Sequence, residues 1–248
     1  MTTEPAQHAD DVRTAATLFS GIGGDALGLE RAGYRLIWFA ETGSLPEGIL
    51  GHRWPEVPNH GDVTNIDWST VERPHVLAGG FPCQDISNAH TRTARRALAG
   101  PRSGLWTYFL TAIDVLEPAW VIVENVAAQE RWVPEVRADL ARIGYASLPV
   151  ELSAGTFGAP HRRPRVFLVA HPDGDGEPLR SLDEEVARLR PLPRSSGYWR
   201  CPPPDGFRMA DGVPGGMDRL RAVGNSVAPA CVEFLARWIA QSDGADRG

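Results

Sequence analysis

The chain has 248 residues, 42% of them hydrophobic, enough for one large domain with a full core or one domain and a small appendage. Its three cysteines, Cys83, Cys201 and Cys231, show no paired spacing, which argues against a disulfide framework and a zinc site and suits a reducing, cytoplasmic setting. The net charge of −6 disfavours a nucleic-acid partner only until it is divided: residues 1–80 hold 11 acids against 5 arginines, whereas 131–170 hold 6 arginines against 3 acids. All 25 basic residues are arginine, whose planar fork suits phosphate contacts. No signal peptide and no apolar run long enough to span a bilayer is legible. Residues 1–13 and 242–248 are polar and are expected to fray.

Ala15–Ser20 predicts a first strand, Gly21–Gly24 a glycine-rich turn, and Asp25–Ala32 a helix, an entry that lets a nucleotide approach the backbone. The glycines alone fit an ordinary tight turn equally well. A second strand, Arg35–Ala40, ends at Glu41, where this architecture usually holds a ribose diol, although a surface glutamate is the plain alternative. Gly43, Pro46 and Gly48 weaken the helix expected over 42–50. His60–Val63 forms a turn in which Asp62 is either a turn former or an acceptor for an exocyclic amine.

The run Val76–Ala78 predicts a buried strand leading into Gly79-Gly-Phe-Pro-Cys-Gln-Asp-Ile-Ser87. Cys83 therefore lies just past a strand end, where it reads as a nucleophile or as a small buried apolar residue. Residues 91–102 carry four arginines without apolar periodicity and predict a basic loop. Leu105–Leu116 predicts a sheet-packing helix, and Trp120–Val123 a strand ending at Glu124, a carboxylate beside the cysteine's strand end. Val133–Ile143 predicts a helix, Ala146–Leu152 a strand, and Val166–Ala170 another. Arg163 and Arg165 alternate just before that last strand, which would aim both to one face of an extended segment.

Together the Phe-Ser-Gly-Ile-Gly-Gly turn, the Pro-Cys-Gln loop, Glu-Asn-Val, His-Arg-Arg-Pro-Arg and the late Gly-Asn-Ser-Val-Ala-Pro closely resemble the DNA cytosine-5 methyltransferases, in that family's order, over roughly 17–169 and 218–239. The resemblance implies an α/β class with a Rossmann-like, mostly parallel sheet. It places a catalytic unit at 14–170 and 217–241, with a small target-recognition region over 171–216. It further implies S-adenosylmethionine as cofactor, no metal, and double-stranded DNA as partner. A cognate restriction endonuclease or a second subunit is a candidate companion, and the chain is expected to be a monomer.

Carried over residue by residue, the resemblance makes Cys83 the nucleophile toward carbon 6 of a flipped-out cytosine, Glu124 the group at its ring nitrogen 3, Arg165 the contact to the base carbonyl, and Arg163 a support for the cysteine loop. Phe19, Gly21, Gly23, Gly24, Glu41, Asp62, Val63 and Pro82, with the returning Asn225, Ser226 and Val227, would form the cofactor pocket, and a helix over 230–239 would pack back beside the first strand. Three departures stand out: His161 at the first alternating position, Thr42-Gly43-Ser44 after the ribose glutamate, and a recognition region so short that it should read few base pairs or rely on a partner. An RNA cytosine-5 methyltransferase, and a non-catalytic or split-subunit member of the fold, are the competing readings. The Cys-Phe-Thr signature of the tRNA-directed branch is missing from the sequence.

Overall fold

The computed structural model describes residues 13–82, 104–127, 129–172, 177–191 and 226–245. Cys83, the basic stretch 91–102, Cys201 and Asn225 therefore lie outside the described residues. Six strands form one sheet: β1 (Thr14–Leu18), β2 (Arg35–Ala40), β3 (Val76–Gly79), β4 (Trp120–Val126), β5 (Ala146–Ser153) and β6 (Pro164–His171), in the order β2-β1-β3-β4-β6-β5. Four run parallel from β2 to β4, and β6 lies antiparallel between β4 and β5.

The inner strands are buried on both faces, as the unbroken apolar runs of parallel strands require. Alternate residues feed two cores. One gathers Ala15, Ala78 and Ile122 with α1 (Gly24–Arg31), α5 (Glu177–Arg188) and α6 (Pro229–Ala245). The other gathers Ala16, Leu77 and Val121 with α3 (Leu105–Leu116) and α4 (Gln129–Arg142). The product is helices on both faces of a sheet.

Chain direction in the sheet reverses between β1 and β3: the chain leaves β1 toward β2, then returns on the other side of β1 to build β3 and β4. A crevice at the carboxyl ends of the strands is the geometric result. Because β6 is antiparallel, its beginning, rather than its end, arrives at this crevice, with Arg165 opposite Val126.

Three sequence expectations change here. The segment expected to be irregular over 42–50 is the helix α2 (Ser44–Arg53). Pro46 falls in its first turn, where an amide has no intrahelical partner to lose, and buried Leu50 anchors it to the core. Strand β4 does not stop before Glu124 but continues to Val126, because β6 is long enough to pair with Glu124, Asn125 and Val126. Arg163 has a φ of 46°, so the chain there is left-handed and the alternation expected of 163 and 165 is broken. Leu179 and Leu182 of α5 belong to the first of the two cores. Among the described residues, no helix is long and apolar enough to cross a membrane.

The last helix is tied down at both ends. Near its start, a Cβ on Gly24 would lie 2.1 Å from the Val227 carbonyl, and one on Gly28 would lie 2.6 Å from that of Pro229 and 2.7 Å from the Val232 Cβ. Glycine at both positions lets α1 and α6 meet backbone to backbone. Near its end, Asp243 accepts from the Trp120 indole at 2.9 Å, pairs with His75 at 2.8 Å and lies 3.3 Å from the Arg13 guanidinium. Gly28→Ala should therefore cost about 1–3 kcal/mol by forcing α6 outward, read as a lowered midpoint in urea. An unchanged midpoint would mean that the two helices can part freely.

Asp25, in the first turn of α1, is 2% exposed; its Oδ1 accepts its neighbour Ala26's amide at 2.8 Å and its Oδ2 has no hydrogen-bond partner. Burial pushes its carboxyl from 3.8 up to about 8, helped by the nearby charges of Glu41 and Glu124. A raised acid of this kind favours the folded state fully below its unfolded value, and that contribution is lost as pH rises through the folded one. Asp25→Asn cannot ionise, so its stability relative to the parent should climb between pH 4 and pH 9 by about 2–5 kcal/mol. Melting curves across that range would show it, and a constant offset would refute it.

Candidate active site

Phe19 leaves β1 with a left-handed φ of 55°, held there by its amide donating to the Ala40 carbonyl at 2.8 Å. Gly21 follows with φ 52° and donates its amide to Glu41 Oε2 at 2.7 Å, while Thr42's own amide donates to Oε1 at 2.8 Å. The carboxylate at the end of β2 is thus tied to the glycine turn after β1. Burial raises its pKa, and the two amides pull the other way. On its far side, the strap 58–61 runs along β2: Phe39's amide donates to the Pro58 carbonyl and His60's amide to the Phe39 carbonyl, each at 2.8 Å. Asp62 ends the strap by accepting the Thr64 amide at 2.9 Å, capping a single 3-10 turn over Val63–Asn65.

Glu124 is 9% exposed near the end of β4, and Arg165 at the start of β6 places its Nε 2.9 Å from Glu124 Oε1. Burial dominates and lifts the Glu124 carboxyl to about 7, against the pull of Arg165 first and Arg163 second. Its other oxygen lies against the chain leaving β3, since a Cβ on Gly80 would sit 2.7 Å from Glu124 Oε2. Only a residue without a side chain passes this carboxylate. The neighbouring Asn125, 2% exposed, donates to the Phe81 carbonyl at 3.0 Å and so pins the chain two residues before Cys83. Phe81 itself is wedged between the rings of Trp106 and Trp132.

These elements bound one cleft of about 270 Å³ at the sheet's crevice. Of the sequence-predicted residues, Phe19, Gly21, Glu41, Asp62, Val63, Pro82, Glu124 and Arg165 line it. Gly23 and Gly24 do not; the space a Cβ would need at Gly23 is taken by Trp54, and at Gly24 by Val227 and Ser226. Arg163 donates to the Ser226 carbonyl at 2.6 Å, so among the described residues it supports the returning segment. Ser226 and Val227 sit behind the glycine turn, outside the lining. Cys83 and Asn225 lie outside the described residues.

Three contributors have no role assigned from the sequence. Asn59 bonds the Glu41 backbone, Gly80 clears Glu124, and Asn125 holds Phe81. For Asn125 the signal was an amide directly after the strand-end glutamate; for Asn59 nothing distinguished it from a turn former.

The family of C-5 cytosine-specific DNA methylases matches residues 14–183, more than half of the chain. The type II methyltransferase M2.BsuMI of Bacillus subtilis (strain 168) is 33% identical over 163 residues, covering 62% of this chain and 41% of its own length. The type II methyltransferase M.HgiDI of Herpetosiphon aurantiacus is 29% identical over 163 residues, covering 63% and 52%. This chain therefore spans about half the length of the curated relatives it matches. Among solved structures, the methyltransferase EhMeth of Entamoeba histolytica shares the fold, with a TM-score of 0.54 at 18% identity over 66% of this chain and 54% of its own. The matched span takes in the glycine turn, both strand-end glutamates, the Pro-Cys-Gln loop and the arginine pair, and the chain belongs to the C-5 cytosine-specific DNA methylase family.

Proposed function

We propose that the chain transfers a methyl group from S-adenosylmethionine to carbon 5 of cytosine in double-stranded DNA, with Cys83 as the covalent nucleophile. The observation that carries this reading is the buried Glu124, paired with Arg165 and facing the same cleft as Glu41 and Pro82. Cys83 is the next residue after Pro82 in the chain.

The residues present fit the cofactor. Glu41 has both carboxylate oxygens oriented by backbone amides and lines the cleft with Phe19 and Gly21, an acceptor set suited to a ribose diol. Asp62 and Val63 line its other side, toward which an adenine would lie. S-adenosylmethionine, when bound, supplies the methyl group as an electrophile.

Carbon 5 of cytosine is too weak a nucleophile to react unaided, and it is stacked in the duplex. Flipping the base out costs a few kcal/mol. The Cys83 thiolate then forms a bond to carbon 6, and the electron pair displaced from the 5,6 double bond makes carbon 5 nucleophilic. Negative charge developing on the ring is met by Glu124, whose carboxyl near 7 is available in its protonated form to donate to ring nitrogen 3. Arg165 holds Glu124 and offers its guanidinium to the base carbonyl. Once carbon 5 carries the methyl group, its proton passes to water, the C–H electron pair restores the 5,6 double bond and expels the Cys83 thiolate, and ring nitrogen 3 returns its proton to Glu124. Recognition of a short site, from the region 171–216 or with a second subunit, and a cognate restriction endonuclease complete the proposal.

Bisulfite sequencing of DNA from methylation-deficient cells expressing the chain tests it. Protected cytosines in one short motif are expected, and Cys83→Ser should erase them while leaving cofactor binding intact. Equal loss of both would make Cys83 structural, and no protection by the parent chain would favour a split-subunit or RNA-directed member of the fold. The pH dependence offers a second test. If protonated Glu124 is the active form, kcat/KM falls as pH rises through about 7. Arg165→Gln removes the charge that pulls this carboxyl down, so the falling limb should move upward while turnover drops about 100-fold or more. A limb that stays in place would remove Glu124 from the proton step.

A further inference from the structure

Asn59 belongs to no motif and its side chain is exposed, yet it makes three hydrogen bonds to the backbone that frames the cleft. Its Oδ1 accepts the Glu41 amide at 3.0 Å and the Gly61 amide at 3.2 Å, and its Nδ2 donates to the Glu41 carbonyl at 3.1 Å. The amide's orientation is fixed by this pattern. Reversed, its NH2 would face two N–H donors and its oxygen a carbonyl.

The two backbone stretches it joins carry different parts of the cleft. Glu41 follows β2 and is itself bonded to the Gly21 turn. Gly61, with φ 75°, opens the turn into Asp62 and Val63, which stand on the other side. The strap's direct backbone bonds to β2 occur at Phe39, before Glu41 is reached. Beyond that point Asn59 supplies the connection, and His60 secures the strap beneath by resting its ring on Trp38, 5.7 Å between centroids.

We propose that Asn59 is a positioning residue of the cofactor site, its carboxamide setting the span between the Glu41 carboxylate and the Asp62 turn, and with it the fit of a purine nucleoside. This rests on the reading of the cleft as an S-adenosylmethionine site. Glu124, Arg165 and Asn125 are held by other bonds, through β6 and Phe81. Asn59 therefore acts on cofactor affinity and leaves the chemistry at the base alone. Loss of its three bonds lets the two walls move independently, so that binding must first fix their separation.

The test is calorimetric binding of S-adenosylhomocysteine, which cannot turn over, to the purified full chain, alongside steady-state kinetics on DNA. Asn59→Ala should weaken S-adenosylhomocysteine roughly tenfold and raise KM for S-adenosylmethionine to match. kcat at saturating cofactor and the KM for DNA should be unchanged. Asn59→Asp keeps the oxygen that receives both amides and gives up the donor, so its affinity should fall between parent and alanine variant. Asn59→Ala binding as tightly as the parent overturns the inference alone, and so does a parallel loss of cofactor affinity, kcat and melting temperature. A parent chain that takes up no S-adenosylhomocysteine overturns the cofactor reading, and the inference with it.

Discussion

Keeping a carboxyl group almost out of water is the constraint around which this structure is arranged. Glu124 is 9% exposed, and ionised in such a place without a partner it would be among the most unfavourable groups in the chain. Its acceptance depends on three separate parts of the fold. The reversed strand β6 delivers the Arg165 guanidinium to the edge where the parallel strands end. Gly80 keeps the chain leaving β3 from colliding with the second carboxylate oxygen. Arg163, left-handed and half-buried, adds positive charge while gripping the Ser226 carbonyl. The balance holds the group near neutrality, where a modest change in surroundings decides whether it carries a proton.

Around it the cleft is acidic by design of position. Glu41 and Glu124 line it and Asp25 is buried nearby in the first turn of α1; all three are pushed upward by burial, and among the described residues only Glu124 has arginines close enough to oppose this. A site of this kind suits a ligand that brings positive charge with it, since each carboxyl can ionise more readily when a cation arrives. Of the acids in the first third of the sequence, Glu41 and Asp62 line the cleft.

Much of this was legible from residues alone, for a physical reason. Buried parallel strands need continuous apolar runs, so Val76–Ala78 and Trp120–Val123 announced themselves, and glycines after β1 and β3 marked where the chain turns out of the sheet. What escaped was tertiary in origin. Composition argued against α2, but a proline in a first turn costs little and Leu50 had a core to enter. The length of β4 was decided by its partner β6. Arg163 left the expected alternation because its backbone is left-handed, and its described partner, Ser226, lies 63 residues away. Asn59 went unread because its bonds are to backbone, which sequence does not display.

The double anchoring of the last helix has a consequence for how such a protein can change. With one end locked against α1 and the other fastened through Asp243 to Arg13, His75 and Trp120, α6 holds its place by its own contacts. Residues 192–225 connect two points whose separation is already fixed. Doubling the length of a connection between fixed points costs only about 0.6 kcal/mol. Segments of different length and sequence can therefore be exchanged there while Glu124, Arg165 and the core beneath them stay where they are.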